Sequence, residues 1–174
     1  MSEFLCGAIF FTWLGITLSL IFIACIEERK HMKTKKKIKV KLDEGAFAPE
    51  SAHEADAGYD LRTPRDCFIP EGSFAIIDTG VHIAIPEGYV GFLKSKSGLN
   101  VRDHLTGEGV IDSGYTGSIV VKLYHNASYG GKVFRRGDKI IQIVLLPIFK
   151  PDIEIVDSLE ETERGDNGFG STGR

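Results

Sequence analysis

Cysteine is scarce in this chain. Cys6, Cys25 and Cys67 match neither a metal-ligand spacing nor a disulfide framework. Two of them lie in an apolar leader, so Cys67 stands alone in the remainder, which suits a reducing compartment. Excess positive charge is also missing: 21 Lys and Arg meet 24 Asp and Glu, for a net charge of −3. That balance argues against a dedicated nucleic-acid binder. After residue 32 there is no substantial helical periodicity, no internal repeat and no low-complexity linker. No Gly-Lys-Ser/Thr is present, so the glycine-rich C-terminus is not a Walker phosphate loop. What remains is 20 glycines among short β-branched runs in 174 residues, the pattern of one turn-rich all-β domain with a sizeable core.

One long hydrophobic run exists. Residues 4–26 carry no charge, and crossing a bilayer takes roughly 20 apolar residues. Arg29, Lys30, Lys33, Lys35, Lys36 and Lys37 follow it, which puts the C-terminal part in the cytoplasm by the positive-inside rule. A basic start and a small-residue cleavage site are both wanting for a cleaved signal peptide. Two readings stand: an N-terminal apolar membrane helix, or a mis-chosen translation start ahead of Met32. Residues 1–31 are therefore set apart as leader, 32–163 as the β domain and 164–174 as a flexible glycine-rich tail.

Along the β domain, Ile38, Val40 and Leu42 alternate with lysines as in an edge strand. Ala57-Gly58-Tyr59-Asp60-Leu61 has a strand pattern in which Asp60 is either a surface acid or something more. Cys67 to Ile85 reads as two strands around the Pro70–Ser73 turn, and Tyr89 to Leu93 as a short strand. Ser95-Lys96-Ser97-Gly98-Leu99 is a small-residue loop with hydroxyls and charge, suited to phosphate contacts or to a solvated turn. Gly109-Val110-Ile111-Asp112-Ser113-Gly114-Tyr115 followed by Ile119, Val121 and Leu123 predicts a β-hairpin with turn chemistry at Ser113-Gly114. Asp112 either caps its own turn or presents a carboxylate to a pocket beside Tyr115. The run from Lys139 to Pro147 reads as a buried strand in which Gln142, if buried, must find hydrogen-bond partners. Ile153 to Val156 reads as a last strand. The tail from Arg164 to Arg174 is either disordered or a lid, with Phe169 over a base and Arg164 and Ser171 on phosphates.

Taken together, five segments in one order resemble the five motifs of the trimeric dUTP pyrophosphatase (dUTPase) family. They are residues 57–61, 95–99 and 109–115, then Arg136-Gly137-Asp138-Lys139-Ile140-Ile141-Gln142, and the tail Arg164-Gly165-Asp166-Asn167-Gly168-Phe169-Gly170-Ser171-Thr172-Gly173. The resemblance covers nearly all of residues 38–174.

It implies a jelly-roll-like β-barrel or sandwich and a homotrimer with shared active sites. It implies hydrolysis of dUTP to dUMP and pyrophosphate with Mg²⁺, which limits uracil incorporation into DNA and supplies dUMP for dTMP synthesis. By the same resemblance Asp112 orients the attacking water and Tyr115 packs on the deoxyribose. Gly109, Val110, Ile111 and the strand near Val120 read uracil through backbone groups. Ser97 contacts phosphate with Gly98 beside it, and Gln142 matches the fourth-motif glutamine. Arg164, Phe169, Gly170 and Ser171 come from a neighbouring subunit, and Asp60 supports the metal's water shell. Lys96 stands where the family usually has Arg, which keeps the charge and loses the bidentate fork.

The chemistry is coherent by itself, because attack on a phosphate ester needs a positioned water and charge neutralisation. A triphosphate and water can hold Mg²⁺ without direct protein ligands. Two alternatives share the scaffold: a dCTP deaminase-like enzyme, and a non-catalytic nucleotide-binding regulatory protein. The complete tail and the Asp-x-x-Tyr turn favour the dUTPase reading over both.

Overall fold

The structure, a computed structural model, describes residue 19, residues 37–128 and residues 130–165. The leader falls outside these residues apart from Ser19, and so does the tail beyond Gly165. Among the described residues no helix is long and apolar enough to cross a membrane.

Antiparallel pairing organises every sheet. Strand β1 (Lys39–Leu42) pairs with β5 (Val81–Ala84), and β3 (Cys67–Ile69) with β10 (Lys132–Phe134). A four-stranded sheet runs β2 (Gly58–Arg62), β11 (Lys139–Pro147), β6 (Tyr89–Lys94), β8 (Glu108–Ile111). A three-stranded sheet runs β4 (Phe74–Asp78), β9 (Val120–His125), β7 (Leu105–Thr106). Period-2 alternation turns one face of these strands inward. The result is a single core drawn from all four sheets: Leu61 from β2, Ile69 from β3, Ile77 from β4, Ile83 from β5, Leu93 from β6, Val121 and Leu123 from β9, Phe134 from β10, and Ile140, Ile141 and Ile143 from β11. The molecule is all-β, as the sequence pattern indicates, and has the jelly-roll-like sandwich form that the resemblance implies.

Strand β11 is central because its neighbours cover both edges, which explains its near-continuous apolar run. Strand β1 is the expected edge strand, and its four residues are all exposed. Gly58 allows β2 to lie close to β11, since a Cβ there would sit 2.9 Å from the Ile143 carbonyl oxygen.

Four expectations change. Cys67 to Ile85 makes three strands, because Gly80, at φ +66°, turns the chain between β4 and β5. Residues 97–100, expected in a loop, open a helix of seven residues, α1 (Ser97–Asp103). Too short for a visible periodicity, it ends at His104 in the left-handed region. The Gly109–Leu123 segment is not a ladder hairpin: β8 pairs with β6 while β9 pairs with β4 and β7, so residues 112–119 cross between two sheets. Ile153–Val156 forms no strand; Ile153 and Ile155 are 92% and 95% exposed, and an apolar alternation without a partner makes no ladder.

Candidate active site

Sheet register assembles the first part of the site. Gln142 of β11 lies directly opposite Asp60 of β2 on one side and Lys94 of β6 on the other. Residues opposite one another in antiparallel strands share a face, so Asp60 and Gln142 point to the same side. Beyond Lys94 the chain leaves β6 and enters α1. Gln142 fixes this exit, its Nε2 donating to the Ser95 carbonyl at 3.3 Å. Ser95 then clamps Gly107: its hydroxyl accepts from the Gly107 amide at 2.9 Å and donates to the Gly107 carbonyl at 3.1 Å.

These contacts surround a cavity of about 450 Å³ lined by Asp56, Asp60, Lys96, Ser97, Gly98, Arg102, Lys139 and Gln142. Three of the four motif segments within the described residues meet here. Asp60 is the hub. It is 7% exposed, accepts from Lys96 Nζ on Oδ1, and accepts from Lys139 Nζ on Oδ2 at 2.7 Å. Burial pushes its carboxyl up, but the hydrogen bonds and charges of Lys139 and Lys96 outweigh this and hold it below the usual carboxylate value. Lys96, Lys139 and Arg102 outnumber Asp56 and Asp60 around the cavity, and such a positive excess attracts polyanions.

Lys139 and Arg102 were not singled out from the sequence. Lys139 sits three residues before Gln142, and its role becomes visible only once Asp60 is placed. Arg102 follows Gly98 at i+4, a neighbourhood that exists only if the segment is helical.

The Asp112 turn lies elsewhere. Asp112 is exposed, and its carbonyl accepts from the Tyr115 amide at 3.1 Å, closing a β-turn. The Tyr115 hydroxyl donates to the Ser118 carbonyl at 2.8 Å, folding the ring over Gly117. A Cβ on Gly117 would meet the ring Cζ at 2.6 Å, so the glycine makes room for it. Val110 and Val120 flank the turn and are 61% and 48% exposed. Gly109 and Ile111 are half-buried against β6.

Register also separates the two parts. Ile111 pairs with Gly91 near the start of β6, whereas Lys96 follows its end. Five extended residues at about 3.3 Å each put roughly 15 Å between them. No residue of the turn lines the cavity. Arg164 is exposed near the end of the described chain. Phe169, Gly170 and Ser171 lie outside the described residues.

Comparison with known proteins agrees with the motif order. The family model for dUTPase matches residues 45–173. The probable deoxyuridine 5'-triphosphate nucleotidohydrolase of Schizosaccharomyces pombe is 40% identical over 134 residues, covering 76% of this chain and 95% of that protein. A mutant dUTPase of Staphylococcus bacteriophage 80alpha, solved with dUpNHpp, superposes with a TM-score of 0.76 at 31% identity, over 80% of this chain and all of that one. A mutant dUTPase from phage phi11 of S. aureus, solved to show the coordination of a structural Mg(II) ion, gives a TM-score of 0.67 at 32% identity over 72% of this chain and all of that one. With the family model matched over residues 45–173, and with the five motifs in order, the chain belongs to the dUTPase family.

Proposed function

We propose that the chain hydrolyses dUTP to dUMP and pyrophosphate, keeping uracil out of DNA and supplying dUMP for dTMP synthesis. The observation that carries this is the 40% identity to a probable deoxyuridine 5'-triphosphate nucleotidohydrolase, over 76% of this chain and 95% of that protein. The motif residues then take roles in two places. The triphosphate enters the cavity, where Lys96, Lys139 and Arg102 supply charge and Ser97, Gly98 and Gln142 supply polar contacts. Asp112 orients the attacking water and accepts its proton. Tyr115 lies against the deoxyribose, and backbone groups of residues 109–111 and Val120 read the base.

No residue of the turn lines the cavity, and the resemblance to the trimeric family implies sites shared between copies. We therefore assign the turn of one copy to the cavity of another, within a homotrimer. The tail, residues 164–174, closes the site as a lid through Arg164, Phe169, Gly170 and Ser171. The β domain of residues 32–163 is placed in the cytoplasm, with residues 4–26 as its anchor if translation begins at Met1.

Magnesium would enter with the triphosphate. Among the described residues no cluster of three or more His, Cys, Asp or Glu could hold a metal ion. Both oxygens of Asp60 already accept a lysine, leaving one lone pair on each for a water. Asp60 would thus reach the ion through water, and the ion would neutralise charge on the phosphate oxygens.

Pyrophosphate release from dUTP, compared with dCTP, dTTP and UTP, tests the assignment. Ammonia from dCTP would instead mark a deaminase.

A further inference from the structure

Behind the Asp112 turn, His82 of β5 lies opposite Lys41 of β1. Its side chain is 17% exposed, and each ring nitrogen has a partner. Nδ1 is 2.8 Å from the Thr116 carbonyl oxygen, and Nε2 is 3.1 Å from Asp43 Oδ2. A carbonyl and an ionised carboxylate can only accept. A neutral imidazole carries a single N–H, so one of its nitrogens would set a lone pair against an acceptor. Imidazolium alone satisfies both contacts.

We propose that His82 is a positioning residue for the Asp112–Gly117 turn, a doubly protonated clip between Asp43 and the Thr116 carbonyl whose deprotonation loosens the turn. The proposal rests on the dUTPase reading for its effect on rate, and on geometry for its effect on the turn.

Neighbouring contacts define what the clip adds. The end of the crossing segment is fastened without it: the Ser118 hydroxyl donates to Asp78 Oδ1, and the Thr79 hydroxyl donates to the Ile119 carbonyl at 2.8 Å. Thr116 lies between this fastening and Tyr115, on the half of the segment that displays Asp112 and Tyr115. A tie at Thr116 therefore sets where those side chains stand relative to β5.

Three charged groups face the ring: Asp43 after β1, Lys41 on β1 and Asp78 at the end of β4. Lys41 Nζ is 3.3 Å from Asp43 Oδ1, so Asp43 is shared between two cations. The Thr116 carbonyl and the Asp43 carboxylate raise the histidine above its ordinary value; burial and Lys41 oppose them. The sign follows. A group whose folded value is raised keeps its bond fully below the ordinary value near 6.5, and loses it as pH rises through the raised one. The clip is closed on the acid side and opens on the alkaline side.

The test compares the full-length protein with His82→Gln and Asp43→Asn. Two readouts are followed from pH 5.5 to 9: kcat and KM for dUTP, and the NMR signals of the His82 ring and of the Thr116–Ser118 amides. The clip predicts that the ring and these amides titrate together, with a midpoint above 6.5 that Asp43→Asn lowers. It predicts that KM rises by about three- to tenfold across that midpoint, the worth of a charged hydrogen bond reduced by solvent at the exposed Asp43, and that His82→Gln removes the step. Amides that stay fixed while the ring titrates would overturn the clip, as would the same KM step in all three proteins. If the wild type leaves dUTP intact, the dUTPase reading fails while the amide titration still decides the clip. Should His82→Gln not fold, Asp43→Asn carries the same contrast.

Discussion

Asp60→Asn isolates the electrostatic centre of the cavity. Asp60 is 7% exposed and accepts hydrogen bonds from two ammonium groups. Hydrogen bonds to charged groups contribute about 1.5–3 kcal/mol each, so the pair supplies about 3–6 kcal/mol before solvent is counted. Lys96 and Lys139 keep 27% and 29% of their side chains exposed, so water recovers part of this when the carboxylate is removed. Asparagine also retains one acceptor. A net loss of about 2 kcal/mol remains after those discounts. For a domain of this size that lowers Tm by roughly 8 °C. Thermal unfolding followed by circular dichroism, at fixed protomer concentration because assembly shifts Tm, measures it. The pH dependence gives a second mark. Because the carboxyl's folded value is depressed, its contribution is present above the unfolded value near 3.9 and fades as pH falls through the lower folded one. Wild type and Asp60→Asn should therefore differ at neutral pH and converge under acid. Melting curves within about 1 °C of each other at pH 7 would refute the hub, since even one such bond exceeds that.

Four further outcomes follow from the same geometry. Asp112→Asn should lower kcat by about 10²–10⁴-fold, the usual contribution of a positioned base, while calorimetry still finds a non-hydrolysable dUTP analogue bound; retained turnover would remove Asp112 from the mechanism. Lys96→Arg should leave kcat/KM unchanged or raise it, since the fork adds a second phosphate contact; a large drop would show that the Asp60 pair needs the slimmer ammonium. Gly117→Ala should displace the Tyr115 ring and raise KM for dUTP with little change in Tm, because the clash falls on an exposed side chain. Ending the chain at Glu163 should give a folded trimer by light scattering with little activity; full activity would dismiss the lid.

Strand patterns were legible wherever burial is one-sided or complete. The apolar run of β11 and the alternation around Val121 and Leu123 report directly which side chains meet the core. Partners were not legible. The strands on either side of Asp112 alternate as hairpin strands do, yet their ladders belong to different sheets, a fact set by distant residues such as Gly91 and Ile77. The same limit misled at Ile153–Val156, where alternation is present and a partner strand is absent among the described residues. In the site, Asp60, Ser97, Gly98 and Gln142 were recognisable as motif residues, and register explains why they converge. Lys139 and Arg102 were hidden because one acts through Asp60 and the other through a helix too short to leave a period.

Conversion of dUTP to dUMP requires cleavage between its α- and β-phosphates, so pyrophosphate from purified protein supplied with Mg²⁺ is the quantity to measure. Release from dUTP, with little or none from dTTP, dCTP or UTP, is the predicted result; an assembled, folded protein that leaves dUTP whole would contradict it.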